Sequence, residues 1–245
     1  MIFIINALKI IFVLGFLVFI HEGGHFIAAK LCKIKVNTFS IGFGPTIWKK
    51  QGKETKYTIR LLPLGGFVDL EGENGESEAE NSYQNASIIK KMTVVLAGPL
   101  VNIVFALIVY FLLVLLLKHD IGFTLIQTKN FIVSMFEGIK MLITGKVGIN
   151  DFIGPVGISE VVVETKRIVD YVYILAVVSL SLGITNLLPI PALDGGRFIL
   201  LIIEAIRRKK ISERFEINIQ LISFIFLIIL SIYVTYNDVL RLIKN

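Results

Sequence analysis

Residues 21–25 read His-Glu-Gly-Gly-His and come after a run of mostly apolar residues from Ile2 to Ile20. On a helix, positions 21 and 25 lie about one turn apart, so both imidazoles leave the same face. Two imidazoles so placed can hold a zinc ion, with Glu22 beside its open position as a general base. The helix that carries them reads as a membrane span, which would put hydrolytic chemistry inside the bilayer. The chain has three histidines, and two of them form this pair. An ionisable residue inside a span costs roughly 2.5–3.5 kcal/mol on insertion scales, so such residues generally have a functional reason.

The elements that must position this pair are membrane elements. The chain has 245 residues, 55% of them hydrophobic, and its mean hydropathy is +0.78. Four stretches, 2–20, 92–117, 171–193 and 217–234, have the length needed to cross a hydrocarbon core. The first lacks a basic leading segment and a small-residue cleavage site, so it reads as a retained span rather than a signal peptide. The net charge of +6 is a matter of topology. Ten basic residues lie in 30–91 and six in 197–214, while 118–170 balances six basic against six acidic. The first two segments fall on one side of a four-span chain, which the positive-inside rule makes cytoplasmic. Nucleic-acid binding is excluded as the meaning of the charge. The single cysteine, Cys32, excludes an internal disulfide and a CxxC knuckle; seven residues from His25, it reads as an interfacial thiol rather than a ligand.

Two histidines leave a catalytic zinc one protein ligand short. Topology chooses among the candidates. The first span runs inward and puts His21 and His25 near its inner end, whereas the second returns His119 to the outer surface, across about 30 Å of hydrocarbon. Asp194 comes back to the inner depth at the close of the third span. It is preceded by Asn186-Leu187-Leu188-Pro189-Ile190-Pro191-Ala192-Leu193, and two prolines there should break the helix beside a cavity that satisfies the freed backbone. A helix stop with Asp194 as its cap is the plainer alternative.

Between the first two spans the period changes. Residues 56–61 alternate polar with apolar, as a half-buried strand does. Residues 51–54 have turn chemistry, and 46–49 supply a partner strand. A small β-hairpin or sheet on the cytoplasmic side, partly dipping into the bilayer, is expected within 36–71. Residues 69–80 carry six acidic side chains without calcium-loop spacing, so a solvated, mobile loop is expected. Ala97-Gly98-Pro99 opens the second span, with Pro99 in its first turn and Asn102 just inside the bilayer. In the outward loop, Phe131, Met135, Phe136, Ile139 and Leu142 share one helical face, as in an interfacial amphipathic helix.

These motifs in this order resemble a known family. His21-Glu22-x-x-His25, Ser40-Ile41-Gly42-Phe43-Gly44, Leu62-Pro63-Leu64-Gly65-Gly66, Ala97-Gly98-Pro99 with Asn102, Gly154-Pro155-Val156-Gly157-Ile158 and Asn186-x-x-Pro189 leading to Leu193-Asp194-Gly195 are similar to those of bacterial site-2 proteases, the intramembrane zinc metalloproteases of regulated intramembrane proteolysis. The resemblance implies one Zn2+ held by His21, His25 and Asp194, with Glu22 as catalytic base and Asn186 assisting substrate or transition state. It implies that the strand-rich region handles substrate, and Tyr57, Ile59, Leu61, Gly65, Gly66, Asn102 and Pro189 are the substrate-binding candidates. Many relatives carry PDZ domains between the second and third spans; here only 118–153 separate them, too few for such a domain.

The expected fold is an α-helical polytopic membrane protein with about four spans and a small membrane-associated β-element. The expected organisation is one domain over 1–245: 1–30 with the first span, 36–71 the β-element, 92–117 the second span, 118–170 the extracytoplasmic loop, 171–196 the third span and 217–236 the fourth. The expected function is cleavage of transmembrane segments in single-span membrane proteins or remnant signal peptides. The setting would be the cell membrane, with the active site toward the cytoplasmic half and the lipid bilayer as a standing partner. A non-proteolytic zinc protein (transporter, sensor or inactive scaffold) is the competing class. Transport would call for polar residues lining the outer half of the bilayer, and the spans offer chiefly Asn6 and Lys9.

Overall fold

The computed structural model describes residues 2–73, 75, 77–144, 146 and 154–244; the side chains of Asn6, Pro63, Leu64, Leu142 and Pro155 lie outside the described ones. Helix α1 (Ile2–Leu31) is one unbroken helix, apolar almost all round, as a helix with lipid for solvent must be. Lys33 stops it with a left-handed φ of 61°. The Ile34 N–H then reaches back to the Ala29 carbonyl at 2.9 Å, a Schellman closure with lysine where glycine is usual.

Strands β1 (Val36–Gln51) and β2 (Lys56–Leu70) come next. The turn sits where expected, closed by Gly52 N–H to Thr55 O at 2.9 Å, and Trp48 pairs with Ile59 and Gln51 with Lys56. Both strands bend, so the first part of β1 has partners on two sides: Val36 with Leu70 and Ile41 with Gly66, but also Thr38 with Lys56 and Ile41 with Ile59. Gly42, Gly44 and Gly65 take positive φ at the bends, which glycine does without Cβ strain. Residues 56–59 are therefore an interior segment, while 66–70 pair on one side only and form an edge. Leu70 and Val36 pack with Ala28, Ala29, Ile34 and Val94 in a common core.

Helix α2 (Ile88–Lys118) begins earlier than the hydropathy implied. Pro99 therefore lies well inside it instead of in its first turn, and its missing N–H leaves the Val95 carbonyl without the usual helical donor. Helix α3 (Ile121–Ile143) is also longer than the expected amphipathic segment. Helix α4 (Pro155–Glu164) has proline in its first turn, where no helical N–H is lost. Helix α5 (Ile168–Asn186) ends at Asn186 because Pro189 and Pro191 cannot continue it. The third span thus stops short, and Asp194 opens a separate helix, α6 (Asp194–Arg207). Helix α7 (Glu213–Lys244) completes the chain.

Among the described residues, four helices are long and apolar enough to cross a membrane: Leu8–Leu31, Ile88–Lys118, Ile168–Asn186 and Arg214–Arg241. This is a multi-pass, mostly helical membrane protein with a small sheet between its first two spans. The contacts divide into two units. One comprises 1–10, 105–181 and 221–245, the other 11–104 and 182–220. In the first, Tyr110 stacks on Phe131 with centroids 4.1 Å apart, and the Lys9 Nζ donates to the Thr165 carbonyl at 3.5 Å. In the same unit the Asp238 carboxylate accepts the Gly157 N–H at 2.9 Å and so caps α4 from α7. The second unit contains His21, His25 and Asp194 together with everything that surrounds them.

Candidate metal centre

Helix α1 projects His21 and His25 from one face, and α6 brings Asp194 to them. His21 Nε2 is 3.0 Å from Asp194 Oδ2, His25 Nε2 is 3.4 Å from the same oxygen, and the two Nε2 atoms are 3.2 Å apart. Zinc–nitrogen and zinc–oxygen bonds of about 2.0–2.1 Å with tetrahedral angles place neighbouring ligand atoms about 3.3 Å apart. The three atoms thus already outline one face of a zinc-sized tetrahedron, which leaves its fourth corner open. Two imidazoles and a carboxylate are also the donor set of a catalytic zinc.

Helix α2 orients both rings from behind. His25 Nδ1 donates to the Val94 carbonyl at 2.8 Å, which leaves its Nε2 lone pair for the metal position. The Asn102 side-chain amide lies 3.3 Å from His21 Nδ1. With Nε2 turned to the metal position, Nδ1 carries the proton, so the amide must present its oxygen; a half-turn of the amide exchanges its two ends. Asn102 is fully buried, so it stands behind His21 and not on a substrate path. Two glycines allow this close approach. A Cβ at Gly24 would come within 2.6 Å of the Ala97 carbonyl oxygen, and one at Gly98 would run into the His25 ring. Gly23 has open space beside it, so the two glycines of the motif are not equivalent.

Asp194 owes its position to the segment that separates α5 from α6. Short bonds, Ile190 N–H to Leu188 O at 2.7 Å and Leu193 N–H to Ile190 O at 2.8 Å, fold residues 187–193 tightly. Gly195 and Gly196 lie where a Cβ would meet the carbonyls of Leu187, Leu188 and Ile190. Only glycine lets that loop rest on the first turn of α6.

A cavity of about 270 Å³ opens on the centre, lined by His21, Glu22, His25, Asn186 and Asp194 together with the sheet edge at Gly66, Phe67, Val68 and Leu70. Gly66 backs directly onto the Glu22 side chain and Val18. Among the described residues no hydrogen bond or ion pair engages the Glu22 carboxylate, which leaves it able to accept a proton. Asn186 faces the cavity while its Nδ2 donates to the Leu182 carbonyl at 3.0 Å. The other candidates lie elsewhere: Tyr57 packs on Phe26 and Phe39, Ile59 and Leu61 are exposed, Gly65 abuts the Phe43 ring, and Pro189 serves the loop. His119 lies outside the His21–His25–Asp194 group.

Sequence reasoning missed one neighbour entirely. Glu73, in the acidic run expected to be solvated, is mostly buried and pairs with Arg197 on α6 at 2.7 Å. Arg197, one turn after Asp194, keeps a third of its side chain exposed and reaches the more deeply buried Glu73, which gains its counter-charge there.

Two histidines on a membrane helix and an aspartate that together could hold a metal ion, with a carboxylate beside them, have the make-up of a zinc hydrolase of the membrane. The profile of peptidase family M50 matches residues 9–230, and the chain belongs to that family. It is similar to a candidate zinc metalloprotease of Clostridium acetobutylicum (28% identical, covering 96% of this chain and 97% of the relative) and to one of Fusobacterium nucleatum (25%, covering 94% and 97%). It is also 39% identical to protease RseP of Yersinia pestis over 40% of this chain and 23% of that one. The first alignment runs over 329 positions, more than this chain's 245 residues, so that relative carries inserted sequence. The protein is a zinc-dependent metalloprotease of the site-2 protease type.

Proposed function

We propose that this protease cuts peptide bonds within the transmembrane segments of single-span membrane proteins or remnant signal peptides, in the cell membrane, with its centre toward the cytoplasmic side. The observation that carries this reading is the sheet edge. Residues 66–70 are unpaired on one side and line the same cavity as Glu22 and the metal triad. A helix hides its amides in its own hydrogen bonds, so a substrate must unwind before it can be cut. An open strand edge offers the unwound segment replacement backbone partners by β-addition. Residues 56–59 of the alternating segment already have partners on both sides, so the capture role falls in this reading to 66–70.

His21, His25 and Asp194 would hold the zinc, which when bound supplies Lewis acidity and lowers the pKa of a coordinated water toward neutrality. Glu22 takes up the proton as the scissile carbonyl is attacked and returns it to the leaving amine. Asn186, on the cavity wall, would turn its amide from the Leu182 carbonyl toward the developing oxyanion. Asn102 and Val94 hold the two imidazoles in register. The whole chain would then act as one catalytic domain.

The test uses full-length protein in vesicles with a panel of single-span substrates. Glu22→Gln should retain zinc and lose cleavage, and His21→Ala should lose both; undiminished cleavage by Glu22→Gln would sink the mechanism. Alternate N–H groups on a strand point to opposite sides, so proline at Phe67 or at Val68 removes an outward donor. One of the two should slow cleavage of helical substrates. Unchanged rates for both would rule out capture at this edge.

A further inference from the structure

Helix α6 is amphipathic in the reverse sense to a helix on a soluble protein. Before its last residue, Arg207, its charged side chains engage protein partners: Arg197 pairs with Glu73 at 2.7 Å, and Glu204 Oε1 accepts the Ile211 N–H at 2.7 Å. Its isoleucines turn outward. Ile199, Ile203 and Ile206 succeed one another at helical spacing and are 39%, 37% and 77% exposed. A face of this kind is stable only where the surroundings are less polar than the protein. Yet α6 has 14 residues, about 21 Å of helix against the roughly 30 Å of a hydrocarbon core. It is too short to span, so it lies along the interface.

The residues at and just past the end of α6 identify the surface beneath it. Arg207, Arg208, Lys209 and Lys210 are consecutive and exposed, and among the described residues none of the four makes an ion pair or hydrogen bond. Arg208 ends the helix in a left-handed conformation, which turns the chain just where the charges cluster. Lys210 also lines a second cavity of about 210 Å³ together with Lys91. The carboxylates of that cavity are otherwise engaged, Glu73 with Arg197, Glu204 with Ile211 and Glu216 with Gln220. Isoleucines that need an acyl boundary beside cations that need counter-charges match one surface, a leaflet containing anionic phospholipid.

We propose that α6 is an interfacial anchor: Ile199, Ile203 and Ile206 enter the headgroup–acyl boundary of the cytoplasmic leaflet, while Arg207, Arg208, Lys209 and Lys210 bind phosphate headgroups of anionic lipids. This rests on the proposed placement of the metal centre toward the cytoplasmic side. Since Asp194 is the first residue of α6, the anchor also fixes the depth of the third metal ligand.

The experiment takes full-length protein, with Cys32→Ser as background, in phosphatidylcholine vesicles with and without phosphatidylglycerol. Native mass spectrometry should find phosphatidylglycerol retained in preference to phosphatidylcholine. Replacing the four cations by glutamine should reduce that preference, on the order of fivefold for each charge lost. A milder Lys209→Gln/Lys210→Gln variant, with zinc content measured, guards against misfolding. A fluorophore at Ile203→Cys should be quenched by brominated acyl chains and not by iodide. Equal lipid retention by wild type and variants, or iodide quenching at 203, would overturn the anchor. Sidedness is read separately with an impermeant maleimide on Lys209→Cys, which should react in inverted vesicles and not in intact cells. Reaction from outside would overturn the topology and the leaflet assigned here, whatever the lipid preference.

Discussion

Gly98 on α2 lies against the His25 imidazole so closely that a Cβ there would overlap the ring. The face of α1 that presents His21 and His25 is therefore shaped by a glycine on another helix, 73 residues away along the chain.

Gly98→Ala should displace His25 and weaken zinc binding by roughly the 10–100-fold seen when orienting contacts of a ligand are disturbed. Gly23→Ala is the matched control, because nothing lies within 4 Å of a Cβ there. It should leave zinc affinity unchanged and stabilise α1 by about 0.5–1 kcal/mol. Chelator competition and thermal unfolding of both variants provide the measurements, and equal zinc affinities would refute the steric argument.

Asn102 offers a second check on the same centre. Asn102→Leu removes the partner of His21 Nδ1 and should lower zinc affinity by about 10–100-fold. Asn102→Asp keeps an acceptor for the Nδ1 proton and should restore most of the loss. If leucine and aspartate behaved alike, the orienting role would have to be given up.

In the other unit, Asp238 caps α4 through the Gly157 N–H at 2.9 Å, and a Cβ at Gly154 would come within 2.8 Å of the same carboxylate. Asp238→Ala should destabilise α4 by about 0.5–2 kcal/mol, the usual worth of a helix cap, and Gly154→Ala should act in the same direction. Faster hydrogen exchange at the Gly157 amide would report both.

The Glu71 carboxyl is held below its ordinary value of 4.5 by hydrogen bonds, first from Ser77 and then from Lys35. A depressed folded-state pKa stabilises at pH above 4.5 and loses that contribution as pH falls through the folded value. Acidification should therefore loosen residues 71–85, seen as increased protease cutting there below that pH. Glu71→Gln should remove this pH dependence.

Much of the site was legible because its signals are local. The i, i+4 spacing of His21 and His25 and the strand alternation at 56–61 are short-range patterns. Asp194 could be reached from charge topology and the two prolines. The features that escaped have no local signal. The Val94 carbonyl is backbone and looks like any other. The partnership of Glu73 with Arg197 spans 124 positions, and an acidic run in isolation reads as solvated. Which β segment is the open edge depends on how β1 and β2 bend back, and that is decided by packing.

His21 and Asp194 stand 173 positions apart in the chain, and that separation matters during biosynthesis. A ribosome delivers the helix with both histidines and Glu22 long before the loop that seats Asp194. Until three spans have been inserted and α6 has formed, the nascent chain holds two of the three side chains of the candidate metal centre. A product that ends before Asp194 therefore lacks one of the three side chains of the candidate metal centre.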